Sequence, residues 1–214
     1  MQYHGIIFDL DGVIVSTDMY HYQAWKQIAD SMGIFFDEQV NNRLRGVSRM
    51  ESLDIILESC DRELTQSEKI QLAEKKNKIY RTLLSNLTAA DVSSEVKKTL
   101  ERLKRSELKL AIGSSSKNAR FILSKVELED FFGAISDGNN ITNSKPDPEV
   151  FIKAADMLGV DCSKCAVVED ARAGIIAAKR AGMTAIGIND AANAAESDIS
   201  LASFSDLLSV IGIK

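Results

Sequence analysis

Short apolar runs alternate with helix-length amphipathic stretches along most of this chain, and that alternation restricts the fold more than any other feature. Ile6-Ile7-Phe8, Leu108 to Ile112, Ala134-Ile135, Cys165 to Val168 and Ala185 to Ile188 are too short for helices. Such runs suit strands buried on both faces, the pattern of a parallel sheet with helices packed on each side. Ile199 to Ala202 reads as an edge strand. Between the runs, Val96, Leu100 and Leu103 recur at helical spacing. Val150, Phe151, Ala154, Ala155 and Leu158 form a second helical stripe, which Gly159 ends. The two prolines, Pro146 and Pro148, flank Asp147. Pro148 is expected at a first helical position with Asp147 as its cap.

Residues 16–87 break the alternation, with helical patterns and no convincing strand. Trp25, Ile28, Ala29 and Met32 share one stripe, with Gly33 as its stop. Ser48 with Glu51 and Thr65 with Glu68 are capping boxes, ahead of Leu53, Ile56 and Leu57 in one case and Ile70 and Ala73 in the other. The expected organisation is an α/β core of residues 1–15 and 88–214, with a helical cap domain, residues 16–87, inserted after the first strand.

Composition narrows the function classes. The chain has 214 residues, of which 45% are hydrophobic, enough for a sizeable core. Its formal net charge of −5 lacks the basic footprint of a nucleic-acid binder. No stretch approaches the ~18 apolar residues of a membrane span. Met1 to Gly5 runs straight into strand-like sequence without a charged leader or apolar signal core, so the expected compartment is cytoplasmic. The three cysteines, Cys60, Cys162 and Cys165, are an odd number and argue against a disulfide framework. Cys162 and Cys165 have C-x-x-C spacing but no second ligand pair for zinc, and read as structural.

The chemistry sits where the apolar runs stop. Asp9-Leu10-Asp11-Gly12 follows the first run and Glu169-Asp170 follows another. The carboxyl edge of an open α/β sheet is where ligands bind. Two carboxylates ~4 Å apart repel by ~4 kcal/mol at an effective dielectric of 20, so four at one edge call for a hard, oxygen-liganded cation, with Mg²⁺ the natural candidate. Gly113-Ser114-Ser115-Ser116-Lys117-Asn118 lies between a strand run and a helix pattern, a place suited to anion binding. Lys145 adds a cation.

The order of acidic pair, hydroxyl turn, lysine and second acidic pair resembles the haloacid dehalogenase-type superfamily over essentially the full length. The resemblance implies a Rossmann-like parallel sheet core with an inserted helical cap. It implies that Asp9 is a nucleophile forming an aspartyl phosphate and that Asp11 is the general acid and base. Ser114 and Lys145 complete the catalytic set, and Asp9, Asp11, Glu169 and Asp170 hold Mg²⁺. On the cap side the chain resembles the sugar-phosphate mutases of that superfamily, through Thr17, His21 and Trp25, then Arg45-Gly46-Val47-Ser48-Arg49 with Ser52, then Lys76-Asn77 with Tyr80, and in the core Ser116-Lys117-Asn118.

This implies that Arg49 grips the phosphate remote from Asp9, and that Lys76, Ser116, Lys117 and Asn118 contact the sugar or its second phosphate. Gly46 and Val47 approach by backbone, His21 tunes Asp11 and Thr17 sits at the hinge. Substrate binding is thus expected of Thr17, His21, Trp25, Gly46, Val47, Ser48, Arg49, Ser52, Lys76, Ser116, Lys117 and Asn118. Taken singly, Trp25 reads as core, Lys76 in Glu74-Lys75-Lys76 as a wet helix face, Arg49 as a solvated charge and His21 as interdomain packing.

The implied reaction interconverts β-D-glucose 1-phosphate and D-glucose 6-phosphate through β-D-glucose 1,6-bisphosphate; a Mg²⁺-dependent sugar-phosphate phosphatase is the alternative. The expected partner is a small sugar phosphate, with no nucleic acid or membrane, and the chain is expected to act as a monomer. Four positions depart from the common family pattern: Ser16 for an acid, Arg45 for lysine, Ser115 for alanine and Ala171 for serine.

Overall fold

The computed structural model describes residues 3–45, 47–60 and 62–213. Among these residues, six parallel strands form one sheet in the order β3-β2-β1-β4-β5-β6. They are β1 (Gly5–Phe8), β2 (Lys109–Gly113), β3 (Ala134–Ser136), β4 (Cys165–Glu169), β5 (Thr184–Gly187) and β6 (Ile199–Ser200). The apolar runs are buried in this sheet because neither face meets water. Ile6 and Phe8 of β1 join one core cluster, whereas Ile7 joins the other, the two-residue alternation of a strand.

Between β1 and β2 lie α1 (Asp18–Ser31), α2 (Glu38–Asn42), α3 (Arg49–Leu57), α4 (Gln66–Leu84) and α5 (Ser94–Lys104). The remaining helices are α6 (Ala119–Lys125), α7 (Glu149–Leu158), α8 (Arg172–Arg180) and α9 (Asp206–Val210). Helices α5, α6 and α9 cover one face of the sheet, and α7 and α8 cover the other.

Helices α1, α3 and α4 share a separate apolar cluster that includes Trp25, Ile28, Leu53, Ile56 and Ala73. Both capping boxes form, and each satisfies a backbone donor that the first helical turn leaves open. Gly33, at φ +69°, follows the end of α1. Ile70 departs from its expected stripe, with 45% of its surface exposed. The start of α7 also differs by one residue. Pro148 occupies the cap position rather than the first helical one, and Asp147 accepts the Glu149 N–H at 3.0 Å. Cys60, Cys162 and Cys165 are free thiols. Burial pushes the Cys165 thiol up to about 11, in keeping with a structural role. No helix among the described residues is long and apolar enough to cross a membrane.

Candidate active site

Strand register levels the chemistry-bearing residues. Phe8 pairs with Ile112 on one side and Val168 on the other, so Asp9, Gly113-Ser114 and Glu169-Asp170 emerge at one height. The strand order reverses about β1 and opens a crevice there. The helical insertion roofs this crevice, leaving a cavity of about 1130 Å³ lined from both sides.

The lower side is buried and densely charged. Lys145 Nζ donates to Asp9 Oδ1, and also to Glu169 Oε2 at 2.8 Å. The other Glu169 oxygen accepts the N–H groups of Asp170 and Ala171 at 3.2 and 3.1 Å. Asp9, Glu169 and Asp170 each offer an oxygen within 4.8 Å of the others. Burial, with Glu169 adding and Lys145 opposing, pushes Asp9 up to about 8. Burial, then Glu169 and Asp9, push Asp170 up to about 9. Burial works against the Lys145 ammonium, but Asp9 and Glu169 outweigh it and hold its pKa above the usual lysine value.

Three carboxylates against one ammonium leave two negative charges uncompensated when all are ionised. This all-oxygen set fits Mg²⁺, which would replace the protons that burial otherwise holds there. Two glycines make the space. A Cβ on Gly12, whose φ is +80°, would lie 1.9 Å from Asp170 Oδ2, and one on Gly174 would lie 2.0 Å from Glu169 Oε2.

Asp11, expected as a fourth metal-binding carboxylate, stands apart. The loop curls back through Gly12 N–H to the Val15 carbonyl at 3.0 Å and Ile14 N–H to the Leu10 carbonyl at 3.0 Å. The Asp11 carboxylate is thereby turned to accept from the Thr17 hydroxyl. Among the described residues, the side-chain oxygens that cluster are those of Asp9, Glu169 and Asp170. Burial raises Asp11 to about 6 against the Thr17 hydrogen bond.

Ser114 and Ser116 curl the loop that follows β2. Their hydroxyls accept the N–H groups of Ser116 and Asn118, each at 3.2 Å, and Lys117 lines the cavity beside them. The Asn118 amide, expected on substrate, donates to Asn77 Oδ1 of α4 at 2.9 Å and accepts from Arg81 at 3.4 Å.

The upper side brings Arg49 and Lys76 to the cavity, with Glu51 and Glu74 also on its lining. Arg49 opens α3 and lines the cavity, with Val47 and Ser48 beside it. Burial lowers the Arg49 pKa. The Ser52 hydroxyl donates to the Ser48 carbonyl at 3.0 Å. Gly46 lies outside the described residues. Lys76 is 2% exposed, the reverse of a wet helix face. Its Nζ lies 2.8 Å from His21 Nδ1 and sits over the rings of Trp25 and Tyr80 at 4.9 and 4.4 Å. Burial and then Arg49 hold Lys76 well below the usual lysine range, and burial and then Lys76 do the same to His21. His21 Nδ1 thus meets Lys76 in this structure. Thr17 bridges the two sides, its hydroxyl also meeting Tyr80 Oη at 2.7 Å.

The family model described as "Haloacid dehalogenase-like hydrolase" matches residues 6–188. The chain belongs to that family. Within the haloacid dehalogenase-like hydrolases it is 43% identical over 205 residues to the β-phosphoglucomutase of Bacillus subtilis, covering 95% of this chain and 91% of that protein. It is 30% identical over 185 residues to the phosphorylated carbohydrates phosphatase of Thermotoga maritima, covering 85% and 83%. A crystal structure of β-phosphoglucomutase from Clostridium difficile matches with a TM-score of 0.92 at 37% identity, covering 98% of this chain and 96% of that one.

Sequence reasoning missed Gly174, whose one signal is its place in the helix after the Glu169-Asp170 pair. It also missed Asp190, an exposed turn acid with no local signature.

Proposed function

We propose that this chain interconverts β-D-glucose 1-phosphate and D-glucose 6-phosphate, with residues 16–87 as a cap over a core of residues 1–15 and 88–214. One observation carries the reading. Two separate loci face one cavity: below, the buried Asp9 with Lys145, Glu169 and Asp170, which a divalent cation would complete for a phosphoryl group, and above, Arg49 with Lys76. Hydrolysis of a monophosphate needs one phosphate locus, whereas a bisphosphate intermediate needs two. The similarity to β-phosphoglucomutases over nearly the whole chain supports the same reaction.

Bound Mg²⁺, held by Asp9, Glu169 and Asp170, would neutralise charge on the transferring phosphoryl group. In the first half-reaction the phosphoryl bond to Asp9 breaks and a bond to the sugar O6 forms, while Asp11 takes the O6 proton. In the second, the bisphosphate turns over, its C1 phosphoryl bonds to Asp9, and Asp11 returns the proton to O1. A carboxyl raised to about 6 suits both directions near neutral pH. Lys145 screens Asp9 from the incoming dianion, and the Ser114 to Lys117 loop steadies the phosphoryl oxygens. Arg49 offers a planar fork to the remote phosphate, and Lys76 its charge. Thr17 positions Asp11, His21 orients Lys76, and Trp25 forms the wall beneath it. Val47 and Ser48 set the loop that presents Arg49. Ser116, Lys117 and Asn118 face the sugar phosphate once Asn118 leaves Asn77. The chain is proposed to act as a cytoplasmic monomer.

The test supplies Mg²⁺, β-glucose 1-phosphate and trace β-glucose 1,6-bisphosphate, and follows glucose 6-phosphate and free phosphate together. Glucose 6-phosphate should dominate, and the α anomer should be a poor substrate. Phosphate release without isomer would replace this reading with that of a phosphatase.

A further inference from the structure

We infer that Arg45 is a positioning residue that straps the Arg49 loop to the Asp9 loop and so sets how phosphoryl flux divides between sugar and water. The inference rests on the mutase reading above. Arg45 opens the segment leading to Arg49, and its guanidinium fork reaches two carboxylates at once. One terminal nitrogen donates to Asp18 Oδ2 at 2.9 Å, at the start of α1, and the other to Asp190, beyond β5 on the sheet side. Asp18 is itself fixed by the buried Asn41, whose amide donates to Asp18 Oδ1 at 3.2 Å.

Asp190 sits on a turn tied to the catalytic loops. Neighbouring Asn189 donates from its amide to the Gly12 carbonyl at 2.8 Å, and the Ala191 N–H donates to the Asp170 carbonyl at 3.0 Å. A chain of contacts thus runs from the loop before Arg49, through Arg45 and Asp190, to the turns that carry Asp9 and Asp170. A lysine would offer a single nitrogen, whereas the arginine fork holds two carboxylates on separate nitrogens.

The strap matters because phosphorylated Asp9 has two acceptors. Transfer to a sugar hydroxyl forms a sugar phosphate. Transfer to water breaks the same bond, releases inorganic phosphate and regenerates the Asp9 carboxylate. A loop held over the cavity excludes the second acceptor. The side chains of Arg45 and Asp190 are 36% and 74% exposed, so salt should weaken the strap.

The test is a double-mutant cycle on the full Mg²⁺-loaded chain, with Arg45→Ala, Asp190→Ala and the double variant, plus Arg45→Lys. Each is assayed with β-glucose 1-phosphate and trace bisphosphate, reading phosphate and glucose 6-phosphate together. Each alanine variant should raise the phosphate fraction roughly two- to five-fold, the range an exposed ion pair can supply. The double variant should exceed neither single by much, and Arg45→Lys should fall between. Added salt should move the wild type, but not Asp190→Ala, in the same direction. Melting temperatures should stay close to wild type, which separates the strap from a folding role. A wild-type partition and salt response in Asp190→Ala, or additive single effects, would overturn the strap. If the wild type released phosphate and no glucose 6-phosphate, the mutase reading would fall. The strap would then stand on a non-additive cycle in the KM of phosphate release and fall on an additive one.

Discussion

The two walls of the cavity solve opposite electrostatic problems. The sheet wall gathers three carboxylates around one lysine and is short of positive charge. The helical wall buries Lys76 against His21 and two aromatic rings, with no carboxylate in ion-pair range of it among the described residues. Each wall lacks what a phosphorylated sugar with a divalent cation supplies: the cation meets the lower deficit and the remote phosphate meets the upper.

The largest test of this contrast is Asp9→Asn. It should lower glucose 6-phosphate formation by at least about 10⁴-fold, because the nucleophile is lost. Thermal stability should not fall, since a crowded buried charge is removed. Activity within tenfold of wild type would break the assignment of chemistry to the sheet wall.

Lysines on the two walls should respond oppositely to removal. Lys145→Ala leaves buried carboxylates without their ammonium and should destabilise by about 3–5 kcal/mol in denaturant unfolding. Lys76→Met removes a buried charge that has aromatic rings and a neutral imidazole for company, and should be neutral or stabilising by about 1 kcal/mol while activity falls. Equal destabilisation by both would show that the walls are not electrostatically distinct.

Arg49→Ala should cost about 2–4 kcal/mol in kcat/KM for the sugar phosphate, since a remote phosphate loses its fork. Phosphate release from acetyl phosphate, which has no remote phosphate, should change little. A parallel loss on both donors would place Arg49 at the reacting phosphoryl instead.

The smallest effect expected is in the response to pH. Asp9 and Asp170 rise from 3.8 in the unfolded reference to about 8 and about 9, mainly by burial. Without metal, their stabilising contribution is fully present below the unfolded value and is lost as pH rises through the folded ones. Binding Mg²⁺ must displace those protons, so it should raise the melting temperature more at pH 8 than at pH 6. A shift independent of pH would mean that the carboxylates are already ionised.

How much of this was legible follows from how local each signal is. The strand runs and both capping boxes could be read directly, because a strand's burial and a helix's first turn are written in adjacent residues. The Asp9, Lys145 and Glu169-Asp170 segments could be read as a site because each ends a strand or opens a loop in a fixed order. Lys76 was misleading on its own, since Glu74-Lys75-Lys76 has the composition of a wet face. Its burial depends on Trp25 and His21, brought by α1, together with Tyr80 on the next turn of α4. The sequence shows two acids two residues apart but not the turn that aims their side chains differently, Asp9 to Lys145 and Asp11 to the Thr17 hydroxyl. The Arg45 to Asp190 contact joins residues 145 positions apart, beyond any local pattern.

The sequence by itself therefore determined the strands, the helix starts and the order in which reactive groups meet the sheet edge, because backbone geometry and side-chain periodicity act over a few neighbouring residues. Only the tertiary structure decided which charges lose their water, which carboxylates share a lysine and which loop is tied to which. Desolvation and ion pairing depend on distances through space, and packing the insertion over the sheet is what sets those distances.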